Sequence, residues 1–236
     1  MGWNKGFTKE THPSVLKISQ TMKWKKIDNF RRWRDEMKLN GRIKNTYPLF
    51  PKNEFLAELI GVTLGDGHIQ KFPRTERIII AANSKNKGFI DRYALILEFL
   101  FNKKPTLMKS KNSNCVRISL YEKNISKRLG IPTGSRKNVV TKLPQWINKD
   151  DKLLTSCLRG LYEAEGSFCI HKPTSTYKIF FANKNDSLLS TVHNSVKKLG
   201  FNPNRSGTKI QISRKADVYK FKELINFRNY NNIKTH

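Results

Sequence analysis

Two nonapeptides, Leu59–Gly67 (LIGVTLGDG) and Leu158–Gly166 (LRGLYEAEG), stand ninety-nine residues apart and share one template. Each is an apolar helical stretch with small residues four apart, closed by an acid and a glycine. A repeat of this period divides the chain into two similar halves. Residues four apart lie on one helical face, so Gly61 with Gly65, and Gly160 with Ala164, make a smooth strip on each helix. Strips without large side chains let backbones approach, and the two helices are predicted to pack on each other. Asp66 and Glu165 then emerge together, at the same end of the pair and at the boundary between the halves.

The pattern around the repeats is also duplicated. Asn53 reads as the N-cap of a helix carrying Phe55, Leu56, Leu59, Ile60 and Leu64. His68–Lys71 and Arg77–Ala82 read as strands joined through Pro73, and Lys87–Phe101 as an amphipathic helix with Ile90, Tyr93, Ala94, Leu97 and Leu100 inward. Strands at Thr106–Lys109 and Cys115–Tyr121 and a helix at Ile125–Leu129 complete the half. A connection over Gly130–Asp151 follows, containing Gly134-Ser135-Arg136-Lys137 and Leu143-Pro144-Gln145-Trp146-Ile147. The order then returns: helix Leu153–Ala164, strands Ser167–His171 and Tyr177–Asn183, helix Ser187–Leu199, strands within Asn204–Ser213. A smaller echo agrees, since Asn83 of Ala82-Asn83-Ser84-Lys85 is seventeen residues beyond Asp66, and Asn183 of Ala182-Asn183-Lys184-Asn185 is eighteen beyond Glu165.

Ahead of these halves, residues 1–50 hold twelve Lys and Arg against four Asp and Glu, with few apolar positions from which to build a core. They read as a basic extension with helices at Pro13–Lys23, where Val15, Ile18 and Met22 share a face, and from Ile27 to Met37. The expected division is thus 1–50, 51–142 and 143–236. The chain carries a formal net charge of +28, a balance that repels itself unless a polyanion neutralises it. Nucleic acid is the natural partner, and Trp3, Trp24 and Trp33 among the basic residues strengthen that reading. Cys115, Cys157 and Cys169 are widely spaced and suggest neither a disulfide framework nor a structural zinc. No apolar run is long enough for a membrane span and no hydrophobic signal core opens the chain. A soluble, intracellular protein without a membrane partner is expected, cytoplasmic in a prokaryote or in an organellar matrix.

Two carboxylates held side by side are costly unless a cation sits between them. Hard divalent cations such as Mg²⁺ take oxygen ligands and keep several waters, so Asp66, Glu165 and phosphate oxygens make a suitable shell for phosphodiester hydrolysis. Mn²⁺ is expected to substitute, and Ca²⁺ to bind without supporting cleavage. Glu58 and Glu163 are expected on other helical faces, as surface or packing residues.

These residues make the chain resemble the LAGLIDADG homing endonucleases, in their single-chain form with two motifs. The resemblance runs from about Asn53 to the C-terminus and includes the Leu-Pro-Gln-Trp-Ile linker and the motif running from Leu158 through Phe168. It implies an α+β fold of two pseudo-symmetric αββαββα subdomains whose antiparallel sheets form a saddle over DNA. It further implies a site-specific, monomeric enzyme that makes a staggered double-strand break with 3′ overhangs at a long asymmetric target. Asp66 and Glu165 match the metal-binding acids. Where family members place Gln or Lys after each motif, this chain has Ala82 and Asn83 in one half and Ala182, Asn183 and Lys184 in the other. Asn83, Asn183 and Lys184 are the candidates there, to orient water or to balance phosphate charge.

Sequence readout in such a fold comes from alternate strand residues. The candidates in the first half are His68, Gln70, Arg74, Arg77, Lys109, Lys111 and Arg117. Those in the second are His171, Lys172, Lys178, Lys209 and Gln211, and phosphate contacts among them position without specifying. Residues Gly2–Thr11 and the helix after them resemble the small DNA-binding modules appended to mobile-intron nucleases. The alternatives to a nuclease are an RNA maturase that helps its host intron to splice and a DNA-binding regulator that does not cleave. Retention of an acid in both motifs favours cleavage.

Overall fold

The computed structural model describes residues 4–26, 29–44, 46–136 and 139–230. The chain forms two compact units, residues 1–47 and 48–236. The first contains α1 (Pro13–Trp24) and α2 (Asn29–Leu39). His12 caps α1, its Nδ1 accepting from the Ser14 N–H, and Pro13 occupies the first turn where no donor is needed. No described residue of this unit is buried, and Trp24 is 81% exposed. The unit is therefore not built around an apolar core. Trp3 and Ile27, named above, lie outside the described residues.

The second unit holds the two halves. The first runs α3 (Glu54–Gly65), β1 (Gly67–Lys71), β2 (Glu76–Asn83), α4 (Lys87–Phe101), β3 (Thr106–Lys109), β4 (Cys115–Glu122) and α5 (Ile125–Leu129). After a short α6 (Gln145–Asn148) come α7 (Asp151–Glu165), β5 (Gly166–His171), β6 (Thr176–Ala182), α8 (Asp186–Lys198), β7 (Asn204–Ser206), β8 (Lys209–Ile212) and α9 (Lys215–Leu224). Each half builds one four-stranded antiparallel sheet, in the orders β1-β2-β4-β3 and β5-β6-β8-β7, so the same connectivity occurs twice. The body begins at Pro48, and Phe50 is already in its core, its ring 4.8 Å from that of Phe101.

Local chemistry explains the helix starts. Asn53 Oδ1 accepts from Leu56 N, Asn86 Oδ1 from Phe89 N, Asp150 from Lys152 N and Leu153 N, and Asn185 Oδ1 from Leu188 N. α3 is buried on all sides from Leu56 to Leu64, as its nearly unbroken apolar sequence requires. Full burial of a side chain such as Leu59 or Leu161 contributes roughly 1.5–3 kcal/mol. In β2 and β4 the buried positions alternate through Ile78, Ile80, Ile118 and Leu120, and in the second sheet through Ile179, Phe181, Ile210 and Ile212. One face of each sheet thus covers the core and leaves the other open.

Candidate active site

The helices carrying the repeats touch backbone to backbone. A Cβ on Gly61 would lie 2.1 Å from Cys157 O, and one on Gly160 2.1 Å from Glu58 O. At the end of the seam a Cβ on Gly65 would lie 2.5 Å from Ala164 Cβ and 3.3 Å from Glu165 Cγ. Asp66 follows Gly65 directly, so the two acids come out of the seam as neighbours. Strands begin at once behind them, at Gly67 and Gly166, where a Cβ would strike Thr63 Cα at 2.4 Å and Tyr162 O at 2.3 Å. The acids are therefore held at rigid helix-to-strand junctions.

Both carboxylates sit at helix C-termini, the negative ends, where an anion is disfavoured. Crowding by protein, then the Glu165 charge, raises the Asp66 pKa to about 6, although the residue opens to solvent on one side. Burial also raises that of Glu165, opposed by a hydrogen bond from Asn183 Nδ2 to Glu165 Oε1 at 3.1 Å. A pair stressed in this way fits a divalent cation. Among the described residues no three His, Cys, Asp or Glu side chains converge. The protein would thus supply two carboxylates and leave the other positions to water and substrate oxygens, as Mg²⁺ tolerates.

A cleft of about 500 Å³ opens beside Glu165, lined by Gly65, Arg136, Thr141, Asn183, Lys184 and Asn185 among others. Asn183 Oδ1 also accepts from Asn185 N at 2.8 Å, which fixes its amide with the Nδ2 toward Glu165. Asn83 makes the matching turn, Lys85 N donating to its Oδ1 at 3.0 Å, and its side chain is exposed. The two Asn are therefore equivalent in the backbone but not at the acids. Arg136 was not singled out in the sequence; its Nη2 donates to Thr63 O at 2.7 Å and to Gly67 O at 2.6 Å, the carbonyls on either side of Asp66.

Residues 152–228 match the family model of the LAGLIDADG-like domain. That stretch, which contains the second repeat, is LAGLIDADG-like. The chain is 24% identical over 207 residues to a DNA polymerase of Methanocaldococcus jannaschii, of whose length it spans 12%. It is 29% identical over 161 residues to an uncharacterised protein of the same organism, spanning 59% of it. In fold, it is similar to the crystal structure of I-DmoI in complex with DNA and Mn, with a TM-score of 0.51, 19% identity, and 74% of this chain and 97% of that one covered. It is also similar to the N-terminal LAGLIDADG domain of DUF199/WhiA, with a TM-score of 0.52, 19% identity, and coverage of 78% and 88%. The α+β architecture of two four-stranded antiparallel sheets is common to both.

Within this LAGLIDADG fold the strand register sorts the basic and amide candidates. His68, Gln70, Arg77 and Arg117 stand on the open face of the first sheet, and His171, Lys178, Lys209 and Gln211 on that of the second. Arg77 is held there by Ser119 Oγ at 3.1 Å and by the Tyr121 ring, 5.1 Å from its guanidinium. Arg74 and Lys111 lie in hairpin turns, and Lys172 in the 3-10 turn after β5. Lys109 is a correction: it pairs with Val116 and shares the core-side parity of the edge strand, where its neighbour in alternation is Leu107. Since strand side chains alternate, one step of register separates the core face from the open one.

Of the two alternatives expected for Glu58 and Glu163, surface or packing, the structure shows packing, and it corrects their placement on other helical faces. Glu58 is 2% exposed; its Oε1 and Oε2 accept from Arg92 Nε and Nη2, each at 2.5 Å, and Arg159 Nε lies 3.5 Å from Oε1. Glu163, 7% exposed, accepts from Arg228 N at 2.6 Å and Tyr230 OH at 2.5 Å. The spacing 58, 61, 65 places Glu58 on the glycine strip itself, and Glu163 is three from Gly160, so helical periodicity could have found both. Among the described residues, no helix is long and apolar enough to cross a membrane.

Proposed function

We propose that this chain is a divalent-metal-dependent, site-specific DNA endonuclease of the homing type, acting as a monomer on a long asymmetric site and leaving 3′ overhangs. The observation that supports this best is the juxtaposition of Asp66 and Glu165 at two negative helix ends, with both carboxyls pushed up in pKa. Such an arrangement destabilises the protein unless a cation relieves it. Structural residues would not be placed so, and the fold alone would not decide the matter.

In this reading Asp66 and Glu165 bind the ion, Mg²⁺ with Mn²⁺ as a substitute, while Ca²⁺ binds without cleavage. When bound, the ion supplies Lewis-acid stabilisation of the leaving oxygen and a more acidic water. Asn183 holds Glu165 in its ionised orientation, since its hydrogen bond favours the carboxylate. Lys184, exposed at the cleft, balances phosphate charge, and Asn83, exposed at the matching turn of the first half, is the candidate to orient water there. The open sheet faces carry the base contacts, through His68, Gln70, Arg77 and Arg117 and through His171, Lys178, Lys209 and Gln211. Residues 51–142 and 143–236 are then two subdomains serving one half-site each, and the basic extension adds contacts to flanking DNA.

The test incubates wild type, Asp66→Asn and Glu165→Gln with a randomised duplex library in Mg²⁺ or Ca²⁺ and sequences the ends. Mg²⁺-dependent breaks at one long motif, lost in both variants while binding persists, are expected. Specific binding without a cut would replace the nuclease with a regulator. Absence of specific DNA binding by the folded protein would replace it with an RNA maturase acting on its host intron.

A further inference from the structure

Arg136 lies in the connection between the halves and reaches both of them. Its Nη2 donates to Thr63 O and Gly67 O, so it spans the peptide bonds on both sides of Asp66. Its own carbonyl accepts from Asn185 Nδ2 at 2.9 Å, and Asn185 in turn caps α8 and donates its main-chain N–H to Asn183 Oδ1, the residue that holds Glu165. Gly134 N, two residues earlier, donates to Ile69 O at 2.9 Å and ties the connection to β1. The guanidinium is withdrawn from water, which lowers its pKa, and yet it lies along the same cleft as Glu165.

The two acids are supported differently. At the end of α7 the Tyr162 carbonyl accepts the main-chain N–H of Gly166, an ordinary helix closure. At the end of α3 the equivalent carbonyl, Thr63 O, accepts from Arg136. A cation there also opposes the negative end of the α3 dipole, where Asp66 sits. Arg136 thus closes a helix where it turns into a strand through its side chain, and ties that junction to the loop of the other acid through its own carbonyl.

Resting on the nuclease reading above, we propose that Arg136 is the positioning residue of the Asp66 side: it fixes the α3-to-β1 junction so that Asp66 is presented to the same ion as Glu165. It acts through the main chain and touches neither substrate nor metal. Partners one step removed from a metal ligand typically change metal affinity about 10–100-fold when removed.

The test is Mn²⁺ titration calorimetry on the full chain at near-neutral pH, without DNA, for wild type, Asp66→Asn, Arg136→Gln and Arg136→Lys, with a melting curve for each. Mn²⁺ affinity should fall about 10-fold or more in Arg136→Gln and recover in part in Arg136→Lys, which keeps a charge but offers no planar fork. Thr191→Ala loses the bond to Thr141 O, five residues further along the connection. It should lower the melting temperature and leave Mn²⁺ affinity as in wild type. If Arg136→Gln does not fold, the lysine variant decides: a folded Arg136→Lys with wild-type affinity overturns the proposal. Binding lost in Asp66→Asn but intact in both Arg136 variants overturns it while sparing the nuclease reading. Failure of wild type to bind Mn²⁺ overturns both.

Discussion

Gly160→Ala isolates the contact on which the site depends. The new Cβ would stand 2.1 Å from Glu58 O, 2.6 Å from Val62 N and 3.1 Å from Glu58 C. All three are backbone atoms, so no side-chain rotation relieves the clash. Restoring an ordinary contact of 3.4 Å from 2.1 Å requires α3 and α7 to part by about 1.3 Å. A gap of even about 0.5–1 Å forfeits a quarter to a half of the dispersion energy along a packed seam. Overpacking of a core typically costs ~1–3 kcal/mol, and this case belongs at the upper end. Alanine returns up to ~1 kcal/mol through helix propensity, which leaves a net loss of about 2 kcal/mol. With a urea slope of ~2 kcal/mol/M the unfolding midpoint, followed by far-ultraviolet circular dichroism, should fall by about 1 M. Ser156→Ala on the same helix should change stability by less than about 0.5 kcal/mol. An unchanged or raised midpoint for Gly160→Ala would refute the argument that backbone contact, and not mere absence of bulk, brings the acids together.

The folded-state pKa of Asp66, about 6 against 3.8, means that the folded protein binds this proton more tightly than the unfolded chain. Its contribution to stability is present below pH 3.8 and lost as pH rises to about 6; a urea series across that window should show this in metal-free wild type and not in Asp66→Asn, and Mg²⁺ should restore stability above it. Glu58→Gln leaves Arg92 and Arg159 with an uncompensated buried charge and should cost ~3–5 kcal/mol by denaturant titration, while a loss below ~1 kcal/mol would show the network to be dispensable. Asn183→Ala removes the bond that favours ionised Glu165, so the acidic limb of the pH–cleavage profile should move to higher pH, and an unmoved limb would exclude that role. Deletion of residues 1–45 should weaken DNA binding and flatten its salt dependence with cleavage retained, whereas an unaltered salt slope would remove the extension from the interface.

Much of the fold was legible because local rules and tertiary demands coincide. Asn53 caps α3 as its side-chain chemistry dictates, and in β4 the alternation of Val116, Ile118 and Leu120 marks the buried face without reference to the rest of the chain. The duplicated motif with its strips of small residues was enough to pair Asp66 with Glu165, since glycine at one-turn spacing has no better use than close backbone approach. What periodicity could not weigh was partnership across long separations. Glu58 read equally as a surface or a packing residue; Arg92, thirty-four residues away, and Arg159 make its burial tolerable. Asn83 and Asn183 look alike in sequence, and only the packing around Glu165 gives one of them a carboxylate to hold. Arg136 had no periodic signal, because a connecting segment's partners depend on the path it takes between folded halves. Sequence by itself determined the two halves, their elements and the pair of acids, all of which follow from local geometry. Tertiary structure alone decided which charges are paired and which residues steady the acids, because hydrogen bonds and ion pairs depend on distances that the chain acquires only when folded.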